Sequence, residues 1–191
     1  MKDRSSRFVP LMLMILLVGI TYWISHIMEG PVASGPLRHD PDYIISHFNI
    51  RKFDIDGMLQ YTLIAEKMTH YPDDDTTLVI SPHLISHRLP QTDIFAQQAL
   101  VSKDSKEIDF INDVRIVRQA INTQTLPTLM ETRLFKVFPD DETGYTLTPV
   151  TITQGKSIIN GSRLEINNKS GISVLHGRVT GTLYRNQATL P

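Results

Sequence analysis

Ala65 to Ile85, AEKMTHYPDDDTTLVISPHLI, and Thr132 to Ile152, TRLFKVFPDDETGYTLTPVTI, align without a gap at an offset of 67 residues. Pro72-Asp73-Asp74 falls on Pro139-Asp140-Asp141, Thr76 on Thr143, and Ser81-Pro82 on Thr148-Pro149. A second pair, Phe95 to Val114 (FAQQALVSKDSKEIDFINDV) and Asn160 to Val179 (NGSRLEINNKSGISVLHGRV), aligns at an offset of 65, keeping Phe110 with Leu175 and Val114 with Val179. Self-similarity at a fixed period marks a stacked architecture. The chain holds two copies of a two-part unit.

Each quarter reads apolar run, polar turn, apolar run, with PDDD, KDSK, PDDE and NKSG as the turns. In the two PDD turns proline presets φ for the second turn position, and the aspartates bond the turn backbone. From about Tyr43 onward the apolar residues alternate in short runs such as Leu59 to Leu63 and Phe110 to Ile116, which is a strand pattern. Asp56-Gly57 between two such runs signals a further hairpin. Four such units behind one N-terminal hairpin give roughly ten or more strands, too many to stay flat. The expected fold is all-β: an open-ended, twisted antiparallel jelly roll or long folded-over sheet over 41–191. Its strand edges are free at both ends, because a stack made by repetition does not close on itself.

Before this domain, Phe8 to Met28 (FVPLMLMILLVGITYWISHIM) is a stretch of 21 residues without Asp, Glu, Lys or Arg. As a helix it reaches about 31 Å, close to the roughly 30 Å of bilayer hydrocarbon. Pro10 sits in its first turn, where a missing N–H does least harm. Lys2, Arg4 and Arg7 precede the stretch against only Asp3, which places 1–7 in the cytoplasm and exports the remainder. Tyr22 and Trp23 lie toward the outer end, where amphipathic rings favour the interface. A cleaved signal peptide would have an apolar core of about 7–15 residues and a small-residue site, for which Pro31-Val32-Ala33 is a poor substitute. The expected organisation is a cytoplasmic tail 1–7, a transmembrane helix 8–28, a Gly/Pro linker 29–40 and the β domain.

The chain has 191 residues, 19 basic against 20 acidic, and no cysteine. That excludes a disulfide-stapled scaffold and gives no electrostatic footprint for nucleic acid. Past the tail the balance is 16 basic to 19 acidic, ordinary for an exported soluble domain. Asp73 to Asp75 and Asp140 to Glu142 lack the glycine turn and distal Glu of a calcium loop, and read as solvated turn tips. His83 and His87 flank a β-patterned Leu84-Ile85 without the Glu of a zinc helix, and read as strand-edge histidines. With no G-x-S-x-G, no thiol and no phosphate loop, the expectation is a non-enzyme without metal or cofactor.

What remains is the inner face of the sheet: Tyr61, Leu63, Ala65, Leu78, Ile80, Phe95, Val101, Phe110, Val114, Ile116, Leu134, Tyr145, Leu147, Val150, Ile152, Ile159, Leu164, Ile166, Leu175 and Val179. Such a face is either a plain sandwich core or the lining of a groove open to long acyl chains, and composition does not separate the two. Between Ala65 and Met68 the alternation breaks, and a bulge there flips every later face.

One apolar span, a short linker, His39-Asp40-Pro41-Asp42-Tyr43, and Met68 to Thr76 (MTHYPDDDT) followed by Pro82 together resemble the LptC family of lipopolysaccharide export proteins. The resemblance covers nearly the whole chain. It implies a single-pass inner-membrane protein with a periplasmic β jelly roll. That domain would accept lipopolysaccharide from the ATP-binding cassette complex of LptB, LptF and LptG and pass it to the periplasmic bridge protein LptA. The groove role would then fall on the inner face apart from Ala65, Val101, Leu134, Ile159 and Ile166. The docking edge would fall on Gly161, Val174, Thr180, Thr182 and Tyr184, with Gly161 at a point of strand bending or close approach. The alternative is a membrane-tethered β scaffold that joins proteins and carries no lipid.

Overall fold

The computed structural model describes residues 9–28, 39–122 and 125–184. The expected tail 1–7 and the linker as far as Arg38 lie outside the described residues. Helix α1 (Val9–Met28) has 20 residues, about 30 Å at roughly 1.5 Å per residue. Inside it Thr21 Oγ1 donates to the Leu17 carbonyl at 2.8 Å, and Tyr22 stacks on His26. Its described side chains, from Met12 to Ile27, are exposed. Among the described residues no helix is long and apolar enough to cross a membrane; for α1 this concerns the side chains of 12–27 alone.

The described residues from 39 to 184 form a separate unit. Its strands are β1 (Tyr43–Phe53), β2 (Leu59–Tyr71), β3 (Thr76–Ile80), β4 (His83–Ser86), β5 (Thr92–Phe95), β6 (Gln98–Val101) and β7 (Ile108–Arg118), then β8 (Thr128–Phe138), β9 (Thr143–Thr146), β10 (Val150–Gln154), β11 (Ser157–Gly161), β12 (Arg163–Asn167), β13 (Ile172–His176) and β14 (Thr180–Thr182). All pairings are antiparallel. The long strands β1, β2, β7 and β8 run through two facing sheet halves, and each short strand belongs to one. The first half is ordered β1–β2–β3–β6–β7–β8–β9–β12–β13. The second is ordered β1–β2–β4–β5–β7–β8–β10–β11–β14.

The internal repeat is the construction rule of this sheet. Strands β2–β3–β4 correspond to β8–β9–β10, and β5–β6–β7 to β11–β12–β13 with β14. After the equivalent prolines Pro82 and Pro149 the gapless match slips by one, since Leu84 lies opposite Leu63 as Ile152 lies opposite Met130. The N-terminal hairpin closes through a longer loop than two residues. Asp54 Oδ1 accepts from the N–H groups of Asp56 and Met58, and Gly57 takes φ of +78°.

Each crossing from one half to the other is a corner. Left-handed backbone occurs there at His47, Ser81, Asn112, Asp113 and Gly177, a conformation that short polar residues and glycine adopt most cheaply. In β2 the corner is Glu66-Lys67, two successive exposed residues after buried Ala65, so the inward set resumes at Met68. That one step moves the later faces. Met68 pairs with Val79, and both join the core, while Leu78 and Ile80 point to the opposite face. Likewise Ile94 lies inward beside Leu84 and Ile116, whereas Phe95 lies outward, stacked on His83 with Arg115 above it. In β8 Phe135 is buried in place of Leu134, and in β9 Gly144 and Thr146 take the inward places expected for Tyr145 and Leu147.

The core draws on both halves: Ala65, Val79, Leu84, Ile94, Ala99, Phe110, Val114, Ile116, Met130, Phe135, Val150 and Leu164. Val101, Ile152, Ile166 and Leu175 pack against it. A Cβ on Gly144 would lie 2.7 Å from the Phe135 ring, so this glycine makes room for the ring. Gly144→Ala is expected to cost about 1–3 kcal/mol by overpacking, read as a lower urea midpoint of the full chain.

Candidate functional site

Two inward rows face each other. In the second half Ile50, Leu63, Leu84, Ile94, Ile116, Met130, Ile152 and Ile159 stand in one cross-strand line. In the first half Ile45, Met68, Val79, Ala99, Phe110 and Phe135 do the same. On the corner side the space between them is filled, Phe110 being 1% exposed and Val114 0%.

Away from the corners the halves diverge. A cleft of about 320 Å³ opens beside β1, walled by Ile50, Tyr61, Leu63 and Leu84 from one half and by Met68, Val79, Val101, Ile108 and Val137 from the other. Further along, a narrower apolar chamber lies between Leu84, Ile94, Ile116 and Met130 on one side and Phe135, Val137 and Ile166 on the other. Tyr61 lines both. Its hydroxyl donates to the Pro139 carbonyl at 3.4 Å, and burial pushes its pKa up, so the phenol stays a neutral donor.

Polar contacts bridge both openings, Lys52 standing at the cleft and Arg88, Arg118, Glu142 and Asn168 at the mouth of the chamber. Arg88 pairs with Glu142, Lys52 Nζ lies 3.1 Å from Asp140, and Arg118 donates to Asn168 at 3.2 Å. In the Pro139 to Glu142 turn Asp140 and Asp141 are exposed, as a solvated tip requires, whereas Glu142 is largely buried and ties one lip to the other through Arg88. Sequence spacing gives no sign of this, because the partners lie 50 to 88 residues apart.

The other acidic turn fastens the start of the domain. His70 lies between Asp42 (2.7 Å) and Asp75 (2.9 Å) and stacks on Tyr43. His39 meets Asp73 at 2.9 Å and stacks on Tyr71, while Asp74 caps Thr76. The ligand atoms of His39, Asp73 and Asp74 fall within 4.8 Å of one another, all exposed, and these hydrogen bonds account for the cluster. His83 bonds Asp93 at 3.0 Å and His87 bonds Thr62 at 2.8 Å.

At the far end the repeat runs out. Val179 occupies the place of Val114, yet it is 47% exposed because no further strands among the described residues cover it. Among the described residues β13 pairs only with β12 and β14 only with β11, so Val174, Thr180 and Thr182 stand on unpaired edges. Tyr184 comes next, its N–H donating to Ser157 Oγ at 2.9 Å. Gly161 lies one strand inside that edge, where a Cβ would meet Leu175 at 2.6 Å, the close approach expected of it. At the opposite end β1, among the described residues, pairs only with β2, and Ile44, Ile45, Ile50 and Phe53 are exposed.

The sequence profile of the family described as lipopolysaccharide-assembly, LptC-related, matches residues 11–185. The chain belongs to the LptC family. Compared chain against chain, no curated protein matches its sequence. Among solved structures it is similar to LptH of Pseudomonas aeruginosa, the LptA-homologous periplasmic component of that organism's lipopolysaccharide transport device. The TM-score is 0.53 at 7% identity, over 65% of this chain and 95% of that one. At that identity the likeness establishes a shared fold: the β domain of this LptC-family chain is LptA-like.

In this LptC-family domain the His70 attachment is pH-dependent. Hydrogen bonding to Asp42, then to Asp75, raises the imidazole pKa above the ordinary 6.5. The attachment therefore stabilises the fold fully below that ordinary value and fades as pH rises through the raised one. Amide exchange of 43–46 is expected to quicken more than elsewhere on going from pH 6 to pH 8.5, once corrected for intrinsic rates, and His70→Gln to remove the difference.

Proposed function

We propose that the cleft between the two sheet halves shields the acyl chains of lipopolysaccharide on their way from the inner membrane toward the outer membrane. Family membership supplies the transport class. The observation that carries the finer reading is an apolar cleft open along one side of an otherwise filled sandwich. Burying a dozen methylenes is worth roughly 10 kcal/mol per chain at about 0.8 kcal/mol each, so shielding needs no chemistry. Release then needs an equivalent groove next in line and an energy source elsewhere.

The domain ends support the rest. Among the described residues each sheet half ends on strands with one unpaired edge, β1 at one end and β13 or β14 at the other, and strand addition would continue both halves into a neighbouring LptA-like fold. We assign β1 to the transporter side, toward the complex of LptB, LptF and LptG, and β13 with β14 to LptA. Helix α1 is read as the inner-membrane anchor, with the tail in the cytoplasm and the β domain in the periplasm. Its 20 residues match the hydrocarbon thickness of roughly 30 Å, and its exposed apolar side chains find cover there.

A lipid-free scaffold is the second reading, favoured by the filled corner side and by the bridged mouth. Photo-crosslinking in intact cells separates the two. A probe at Tyr61 is expected to form an adduct with lipopolysaccharide, and one at Arg115 on the outer face is not. Adducts at neither position, with partners still captured at the edges, would leave the scaffold. Val179→Arg is expected to cut capture of LptA about tenfold or more while leaving the Tyr61 adduct in place.

A further inference from the structure

We infer that Arg88, Arg118 and Lys169 form a subsite for a phosphate group borne by the acylated ligand, held shut in the free protein by Glu142. This rests on the lipid reading above and adds where the headgroup is gripped. The three cations surround a pocket of about 330 Å³ at the mouth of the apolar chamber, and among the described residues Glu142 is its only acidic lining. Tyr61, Ser86, Thr92, Arg118, Glu142 and Asn168 line both this pocket and the apolar chamber below it. A cationic vestibule over an apolar chamber is complementary to an anionic amphiphile, and to neither a neutral lipid nor a free ion.

The resting contacts explain how the site stays unspent. Glu142 is a turn-tip residue at φ of +56°, its side chain only 11% exposed and aimed at the half-exposed Arg88 guanidinium across the mouth. Arg118 is held by a neutral amide, Asn168 Oδ1, at 3.2 Å, and Lys169 Nζ reaches only the Asp140 carbonyl at 3.5 Å. Neither contact satisfies a cation as a phosphate does, whose oxygens accept paired guanidinium bonds. An arriving phosphate takes Arg88 from Glu142 and gathers Arg118 and Lys169. The exchange removes the Arg88–Glu142 and Arg118–Asn168 bridges and so frees the mouth above the acyl chains. Headgroup capture and cleft opening are one event.

The test uses the full chain in detergent with lipid A and its dephosphorylated form as probes. Wild type is expected to bind the phosphorylated lipid at least about tenfold more tightly. The triple variant Arg88→Gln, Arg118→Gln, Lys169→Gln should abolish that preference, and Glu142→Gln should strengthen binding of the phosphorylated form alone. Arg88→Lys, which keeps the charge, should retain most of the preference and so guards against a folding defect. Equal binding of the two lipids by wild type, or a preference surviving in the triple variant, overturns the subsite while leaving the cleft as a lipid site. Inorganic phosphate binding as tightly as the lipid also overturns it. Binding of neither lipid sinks the lipid reading itself.

Discussion

The architecture depends on the cross-strand rows that stack inward side chains along each sheet half. A β-strand offers only two faces, so a row survives only if every strand keeps the same parity along its length. The chain satisfies this with strands that cross both halves and change face at the corners, where Glu66-Lys67 or a left-handed Asn112-Asp113 absorbs the extra residue. Without that correction Ala65 and Met68 could not both face the core. The cleft is a by-product of the same device: rows joined at the corners and diverging away from them leave a wedge, apolar by construction.

The repeat explains both the closed middle and the open ends. An interior strand is flanked on both sides, so Ala99 on β6, between β3 and β7, and its equivalent Leu164 on β12, between β9 and β13, are both buried. Among the described residues no further copy follows the last one. Its Val179 is exposed, and the strand that would continue β7 is broken into β13 and β14. Exposed apolar groups and free edges at both ends of a stack leave it open to the addition of further strands.

Fold class, the repeat and the turns are legible in the sequence because their determinants are local: prolines, aspartates and short alternating runs. The inward places of Tyr61, Leu63, Phe110, Val114, Ile116, Val150, Ile152, Leu164 and Leu175 are legible too. The faces of Leu78, Ile80, Phe95, Tyr145 and Leu147 are not, since a corner spends one residue without a compositional signature and reverses the parity of the strand beyond it. Val179 keeps its expected place in the repeat, and only the lack of a covering strand among the described residues exposes it. The contacts across the mouth are beyond reach for another reason. Glu142 and Arg88 lie 54 residues apart, and nothing in a turn such as Pro-Asp-Asp-Glu names its distant partner.

The corner residues also set the mechanics. His47, Ser81, Asn112, Asp113 and Gly177 lie along the joined side of the two halves, like the spine of a book, opposite the bridged mouth. Strand ladders on either side are stiff, because bending them breaks hydrogen bonds in several strands at once. The corners are tied more sparsely, Ser81 N–H donating to the Gln97 carbonyl at 2.8 Å and Gln97 N–H to the Asn112 carbonyl at 3.0 Å. Turning at the corners disturbs fewer hydrogen bonds than bending a ladder, so any change in the angle between the two covers would be gathered into this one line while every page keeps its register.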